Sequence, residues 1–422
     1  MYCLYNIVVS SAREKAFVER IVSRYYRGWA SVSIDKKPLC YNIFLRSGYG
    51  ESYLANPLEA IEYSGSRSLE SLSPIELLRV IERGRARIRE TVTWDRQGFY
   101  RLDDRGLRLQ GFTVNPGYDT MLFYGDNVYK LLMELGLSSP PRNTVVVKKF
   151  SGVHDLYSSI HVKARLHIPD YGRVSIREYS VETIDNNIDL FIRENKVILE
   201  KHIAVSKKLL ETLDQPDLVI VSFSGGKDSL VLLDLVLEHY GRDKVVPVYV
   251  DTGLEFPETI GYISTIEEYY GLEIERVYAG IDKAVKEHGL PSVEDRWCTR
   301  LKQDAFWRRV EELSRGYGLV YVFVGDRDAE SRSRSHRPPV RRRGRYIEIA
   351  PLKQWGTIHV QTYILWKKLP QNPLYNYGFY RVGCYICPAL RSWELYIMRN
   401  KLWRLLRDRE FIGEFMSYKK VS

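Results

Sequence analysis

No run of about eighteen uninterrupted apolar residues occurs in this sequence, so no part of it is read as crossing a membrane. Cysteine is scarce, with five in 422 residues. That is too few for a disulfide framework, and it turns attention to metals or catalysis in a reducing compartment. The opening MYCLYNIVVSSAREK lacks the basic start and the long apolar stretch of a signal peptide, which makes a cytoplasmic protein the expectation. Repeats and low-complexity tracts are missing as well, and no pattern reports on oligomeric state.

What is there is a globular chain, 45% hydrophobic and long enough for two or three domains. The net charge is +10, and much of it sits in one place: RDAESRSRSHRPPVRRRGR, residues 327–345, holds eight arginines against Asp328 and Glu330. Such concentration suggests a local anion site more than a basic surface, with a nucleic-acid contact as the alternative. Residues 1–140 read as an α+β domain. Within it YCLYNIVVS is strand-like, AREKAFVERIVSRYYRG is an amphipathic helix, and Ser73–Pro74 opens a second helix. Alternating segments NTVVVKKF, SSIHVKARLHI and GRVSIREYSV make 141–185 a small β-rich module. A long helix follows in the linker 186–216 and is broken by QPD at 215–217.

From there the pattern changes. LVIVSF, KVVPVYV, LEIERVY and LVYVFVG alternate with helical segments at short spacing, the signature of a doubly wound, Rossmann-like parallel sheet over 217–390, before a helical tail at 391–422. Ligands bind such sheets at the carboxyl ends of the strands, so each exit is a place to look for chemistry.

The first exit is SFSGGKDSLVLLDLV, residues 222–236. A helix N-terminus presents unpaired amides and a partial positive charge. Gly225 and Gly226 allow a sharp turn and close approach to a ligand. Lys227 adds a full charge, Ser224 and Ser229 supply hydroxyls, and Asp228 is a candidate for Mg²⁺ or for orienting a hydroxyl. A Walker loop needs glycine where Val221 stands, and a dinucleotide fingerprint needs a later glycine that is absent. The second exit, YVDTGLEFPETI, offers Asp251, Thr252 and Glu255 for Mg²⁺ or a ribose, or else as helix-capping groups. At the fourth, Arg327, Arg332 and Arg334 are candidates for bidentate phosphate or sulfate binding, whereas RRRGR at 341–345 reads as a solvated face. Cys384 and Cys387 stand at C-x-x-C spacing, and Cys298 in RWCTRLK, with Lys302, is a candidate third ligand. Three cysteines suit a [4Fe–4S] cluster with one free iron, or zinc with a fourth ligand, and core packing is the plain alternative. Cys3 and Cys40 read as packing residues.

The SGGKDS stretch resembles the PP-loop adenine nucleotide α-hydrolase superfamily. Together with VDTGLEFPET, RWCTRLK, VGDRDAESRSR, PLKQWGTIHVQTYI and LPQNPLYNYGFYRVGCYICP, in that order over 217–390, it resembles the phosphoadenosine phosphosulfate (PAPS) reductase family, particularly its archaeal and phosphorothioation-type members. That resemblance implies an adenine nucleotide substrate, either ATP or (phospho)adenylyl sulfate, with Lys227, Asp228 and Lys302 as catalytic candidates. Three features depart from the family's reductases. No cysteine follows Cys387, Thr299 replaces a second cysteine beside Cys298, and the SGGKDS loop is intact. These lead to the expectation of ATP-dependent adenylation and sulfur transfer to an acceptor, a nucleic acid being one candidate, brought by the N-terminal domain. The alternatives are a sulfonucleotide reductase using a thiol reductant protein, and a non-catalytic nucleotide-responsive nucleic-acid-binding protein.

Overall fold

The computed structural model describes residues 3–45, 56–62, 68–180 and 182–420; Tyr2 and Val181, each at the end of a strand-like segment named above, lie outside them. The first strands form an all-parallel sheet in the order Ala30–Ser33, Tyr5–Val8, Tyr41–Leu45, Glu59–Glu62. Parallel neighbours need crossover connections. The helix Ala12–Tyr26, capped by Ser11, supplies the first. A second helix, Pro74–Glu90, opens with the reciprocal Ser73–Glu76 capping box that its sequence spells out. A five-stranded antiparallel sheet follows, in the order Ser175–Glu178, His161–His167, Val153–Ser158, Thr144–Lys148, Asp119–Phe123. Its edge strand, Asp119–Phe123, comes from before residue 140.

The long helix spans Ile188–Glu211, and both its ends and its middle are packed. Asn195 donates to the Tyr100 carbonyl and accepts from the Leu102 amide, while Phe191, Leu199 and Leu209 are buried. The helix is amphipathic, with this face packed and the opposite one, carrying Lys196 and Val197, exposed.

The third sheet runs Glu275–Tyr278, Val245–Asp251, Leu218–Ser222, Val320–Phe323, Tyr346–Ile349, Val340–Arg343, parallel except for its last strand. Alternation along the central strands sends Val219 and Val221 to one apolar layer, with Leu230 and Leu233 of the next helix. Leu218 and Ile220 go to the opposite layer, with Phe306 and Val310. Both faces are covered, as a parallel sheet requires. The fold is thus α/β, with the doubly wound sheet in the C-terminal half. Successive strands step outward from Leu218–Ser222 in one direction, and Val320–Phe323 then joins on the other side. The crevice at this reversal is where such sheets hold ligands.

The arginine run at 341–345 is solvated as expected, with Arg342, Arg343 and Arg345 exposed; it forms a hairpin edge with Gly344 at its turn (φ 59°), in which Arg341 pairs with Glu348 at 2.7 Å and Asp326 at 3.2 Å. The stretch read as a helical tail forms the helices Ser392–Lys401, Trp403–Leu406 and Ile412–Tyr418. Trp393, Phe415 and Met416 are buried in the layer that also holds Met121, Val146 and Cys384.

Candidate functional site

Leu218–Ser222 ends in a turn that feeds the helix Lys227–Tyr240. Gly225 sits at φ 69°, a left-handed conformation that glycine adopts without cost. Gly226 has an ordinary extended backbone, and a Cβ there would meet Ser224 Oγ at 3.4 Å and the Tyr375 hydroxyl at 3.6 Å, ordinary contacts, so neither backbone strain nor crowding demands a glycine. The turn is held from behind: Asn372 donates to the Gly225 carbonyl at 3.2 Å and to Thr259 at 3.0 Å. From within, the Ser224 amide donates to Ser229 Oγ at 3.1 Å, and Ser229 Oγ donates to the Gly226 carbonyl at 2.9 Å. No side chain of the cap residue closes the helix N-terminus. The Lys227 amide donates to the Tyr375 hydroxyl at 2.9 Å.

This turn opens on a cavity of about 630 Å³, whose wall includes Ser224, Gly226, Lys227, Asp228 and Ser229, the strand exit Val324–Arg327, Glu330, Arg334 and Thr357. Arg327 is locked in place. Its Nε is 2.6 Å from Asp228 Oδ1, Nη1 donates to the Trp355 carbonyl, and Nη2 donates to Thr357 Oγ1. Lys227 Nζ takes the other oxygen of Asp228 at 2.9 Å. Burial pushes the Asp228 carboxyl up, but Arg327 and Lys227 outweigh it and hold it at about 2. Both of its oxygens therefore pair with cations. The next residue, Asp328, is buried against Arg85 and Lys353, the latter at 2.7 Å, and accepts from Tyr5 at 3.0 Å. The N-terminal sheet and helix thereby fix the arginine-bearing loop.

Other expected site residues go elsewhere. Arg332 is exposed and off the cavity wall. Asp251, Thr252 and Glu255 do not line the cavity either, because their strand lies on the far side of Leu218–Ser222 from Val320–Phe323. Thr252 donates to Glu255 at 2.7 Å. Burial pushes the Glu255 carboxyl up against the pull of Lys302. Lys302 in turn is pushed down by burial and pulled up more strongly by Cys384, Glu255, Cys387 and Cys298. These residues make a second, thiol-rich cluster next to the first: Arg381, on the cavity wall, acts on Cys387. Cys298 lies in the first turn of the helix Trp297–Leu313, not in a preceding loop. The three thiols do not fit the expected [4Fe–4S] cluster or zinc. Among the described residues no three Cys, His, Asp or Glu side chains converge to hold an ion, and a lysine ammonium occupies their neighbourhood. Cys384 instead hydrogen-bonds Cys387, raising its own thiol well above the ordinary value and lowering its partner's. Cys3 and Cys40 are packed at the start of neighbouring strands, with the Cys40 thiol donating to the Cys3 carbonyl at 3.0 Å.

Sequence reasoning missed Asp119, Met121 and Lys148, which reach the cavity from the antiparallel sheet, and Arg296, Tyr380, Arg381 and Arg391. Tyr375, Tyr380 and Arg381 lie inside the LPQNPLYNYGFYRVGCYICP block, where their presence was a usable signal. Nothing in the pattern singles out Asp119, which accepts from the Thr357 amide at 3.0 Å across 238 residues.

A glycine-turned helix N-terminus in the reversal crevice of a doubly wound α/β sheet, walled by cations, is an arrangement suited to an anionic ligand. Residues 218–390 match the phosphoadenosine phosphosulfate reductase domain. The chain is 31% identical over 196 residues, 44% of its own length and 72% of the relative's, to the adenosine 5'-phosphosulfate reductase of Mesorhizobium japonicum. It is 36% identical over 234 residues to an uncharacterized protein of Methanocaldococcus jannaschii, covering 53% of this chain and 48% of that one, so it spans about half the length of that relative. The crystal structure of PAPS reductase from Candida auris in a phosphate complex aligns with 21% identity over 44% of this chain and 94% of that one, at a TM-score of 0.33. The chain belongs to the phosphoadenosine phosphosulfate reductase family. Among the described residues no helix is long and apolar enough to cross a membrane.

Proposed function

We propose that the chain is an enzyme of sulfur metabolism that binds an adenine nucleotide through its phosphates on the 224–229 turn, and that it reductively cleaves a sulfonucleotide, (phospho)adenylyl sulfate. The observation that carries this reading is the state of Asp228. It is flanked by Lys227 and Arg327, so two fixed cations stand beside the turn to which the nucleotide phosphates are assigned. Cleavage of a sulfonucleotide needs no metal. A thiolate attacks sulfur, the S–O bond to the phosphate breaks, and the nucleotide phosphate leaves with the electron pair, its growing charge facing Lys227. A second thiol then displaces sulfite and closes a disulfide, so two thiols supply the two electrons. The C-terminal helices are packed, and in this reading a dithiol partner protein supplies the reducing thiols. The 31% identical relative named adenosine 5'-phosphosulfate reductase supports the reading.

One observation favours a second reading: the intact SGGKDS loop, which suits attack of an acceptor oxygen on the α phosphate of ATP, release of pyrophosphate, and displacement of AMP by a sulfur donor. Incubation of the pure protein with adenylyl sulfate, PAPS or ATP, with a dithiol present, separates the two. Sulfite release supports reduction and pyrophosphate release supports adenylation with sulfur transfer. Unchanged nucleotides together with tight, salt-sensitive nucleic-acid binding overturn both in favour of a binding protein.

A further inference from the structure

Most charges on the cavity wall are spent on one another: Lys227 and Arg327 on Asp228, Arg334 on Glu330 and Asp326. Lys148 is not, having no ion pair among the described residues, and Arg381 has none either, although Cys387 and Glu394 attract it. Arg391 stands with them, paired to Asp170 through Nε at 3.0 Å. Lys148 ends the strand Thr144–Lys148, outside the residues that match the family domain. Period-two alternation turns Lys149 to the other face, where it pairs with Asp155 at 2.6 Å. Lys148 is half-buried, and its surroundings are hostile to a charge. Burial pushes its ammonium down, and the influence of Arg391, Arg381 and Arg327 adds to that against Asp119. Asp119 is itself committed to Thr357 and Arg327. A solvated surface lysine has no such deficit; one that faces other cations in a cavity lacks a counter-anion.

We infer that Lys148, Arg381 and Arg391 form a second oxyanion subsite, distinct from the phosphate loop, which takes a phosphate or sulfate group carried by the same nucleotide. This rests on the nucleotide reading above and deepens it: the preferred ligand is an adenine nucleotide with two separated anionic groups, and the N-terminal half supplies part of its specificity. Tetrahedral oxyanions match lysine and arginine donors, and one charge-assisted hydrogen bond is worth about tenfold or more in affinity.

Calorimetric titration with adenosine 3',5'-bisphosphate, AMP and inorganic sulfate tests it, on the wild-type chain, Lys148→Met and Lys149→Met, with matched melting temperatures as the folding control. The bisphosphate is expected to bind at least tenfold tighter than AMP. Lys148→Met is expected to remove about tenfold of that advantage with AMP unchanged, and Lys149→Met to remove none. An advantage that survives Lys148→Met, or no advantage in the wild type, overturns the subsite. Sulfate binding that needs Lys148, without any advantage for the bisphosphate, assigns the cations to a free oxyanion and overturns the nucleotide-borne form. AMP binding that Lys227→Met abolishes, with Lys148→Met silent on every probe, removes the subsite and keeps the functional reading. If no nucleotide binds the wild type, both fall.

Discussion

Arg327→Met isolates the interaction on which the phosphate loop's shape depends. The guanidinium sits 2.6 Å from Asp228 and 3.5 Å from Asp119, with side-chain exposures of 3%, 20% and 7%. Removing one partner of a buried pair leaves uncompensated charge and costs about 3–5 kcal/mol; the partly wetted Asp228 places this case near the lower end, about 3 kcal/mol. The carboxyl's own shift leads to a similar figure. Asp228 falls from 3.8 to about 2, nearly two units, or about 2–3 kcal/mol shared between Arg327 and Lys227. At roughly 1 °C per kcal/mol for a chain of 422 residues, the melting temperature should drop by roughly 3 °C. Because the folded-state value is depressed, the stabilisation is fully present above the unfolded value and is lost as pH falls toward 2. The gap between wild type and Arg327→Met is therefore widest at pH 7 and narrower at pH 3. In an Asp228→Asn background Arg327→Met should cost about 1–2 kcal/mol less. Calorimetric melts of the four proteins at both pH values are the assay. A drop below 2 °C, an unchanged gap at pH 3 or strict additivity refutes the account of the loop.

The two loop glycines should separate. Gly225→Ala is expected to cost about 1–2 kcal/mol of stability because of its left-handed backbone, whereas Gly226→Ala should melt like wild type and lose nucleotide affinity in a calorimetric titration. Tyr375→Phe removes the acceptor of the Lys227 amide and should cost about 1 kcal/mol, read as a lower melting temperature that added nucleotide partly restores. Cys3 is held at about 6 by Cys40, against burial, and by Ser31 and Lys37. Its alkylation by iodoacetamide, followed by peptide mass spectrometry, should rise through about pH 6 and be near its plateau by pH 7.5, with Cys40 unlabelled there. A chelator should leave the melting temperature of anaerobically purified protein unchanged; iron with sulfide at one cluster per chain would show that the three thiols rearrange.

The alternation of strand and helix after residue 217 was legible because a parallel sheet buried on both faces must be built from short β-branched runs between amphipathic helices. The hairpin at 340–349 was not, because arginine hides strand periodicity. Arg341 is held by Glu348 and Asp326, contacts that no local pattern states. The C-terminal helices were legible as helices but their partner was not: apolar spacing marks Trp393 and Phe415 as facing something, and only the tertiary structure says that it is the layer holding Met121 and Val146.

The site divides along the same line. Local motifs found the groups that one strand exit carries by itself, Ser224 to Ser229, since a turn's chemistry is written in consecutive residues. They did not tell which exits share a crevice. That depends on strand order, and the order places Val245–Asp251 on one side of Leu218–Ser222 and Val320–Phe323 on the other. Arg327 consequently meets Asp228, while Glu255 faces Lys302 and the thiols. Two clusters that look in sequence like one set of catalytic residues are two sites in space, touching through Arg381 and Cys387. That contact is physical: the Arg381 guanidinium on the cavity wall favours the charged form of the Cys387 thiol, and Cys387 does the same for Arg381.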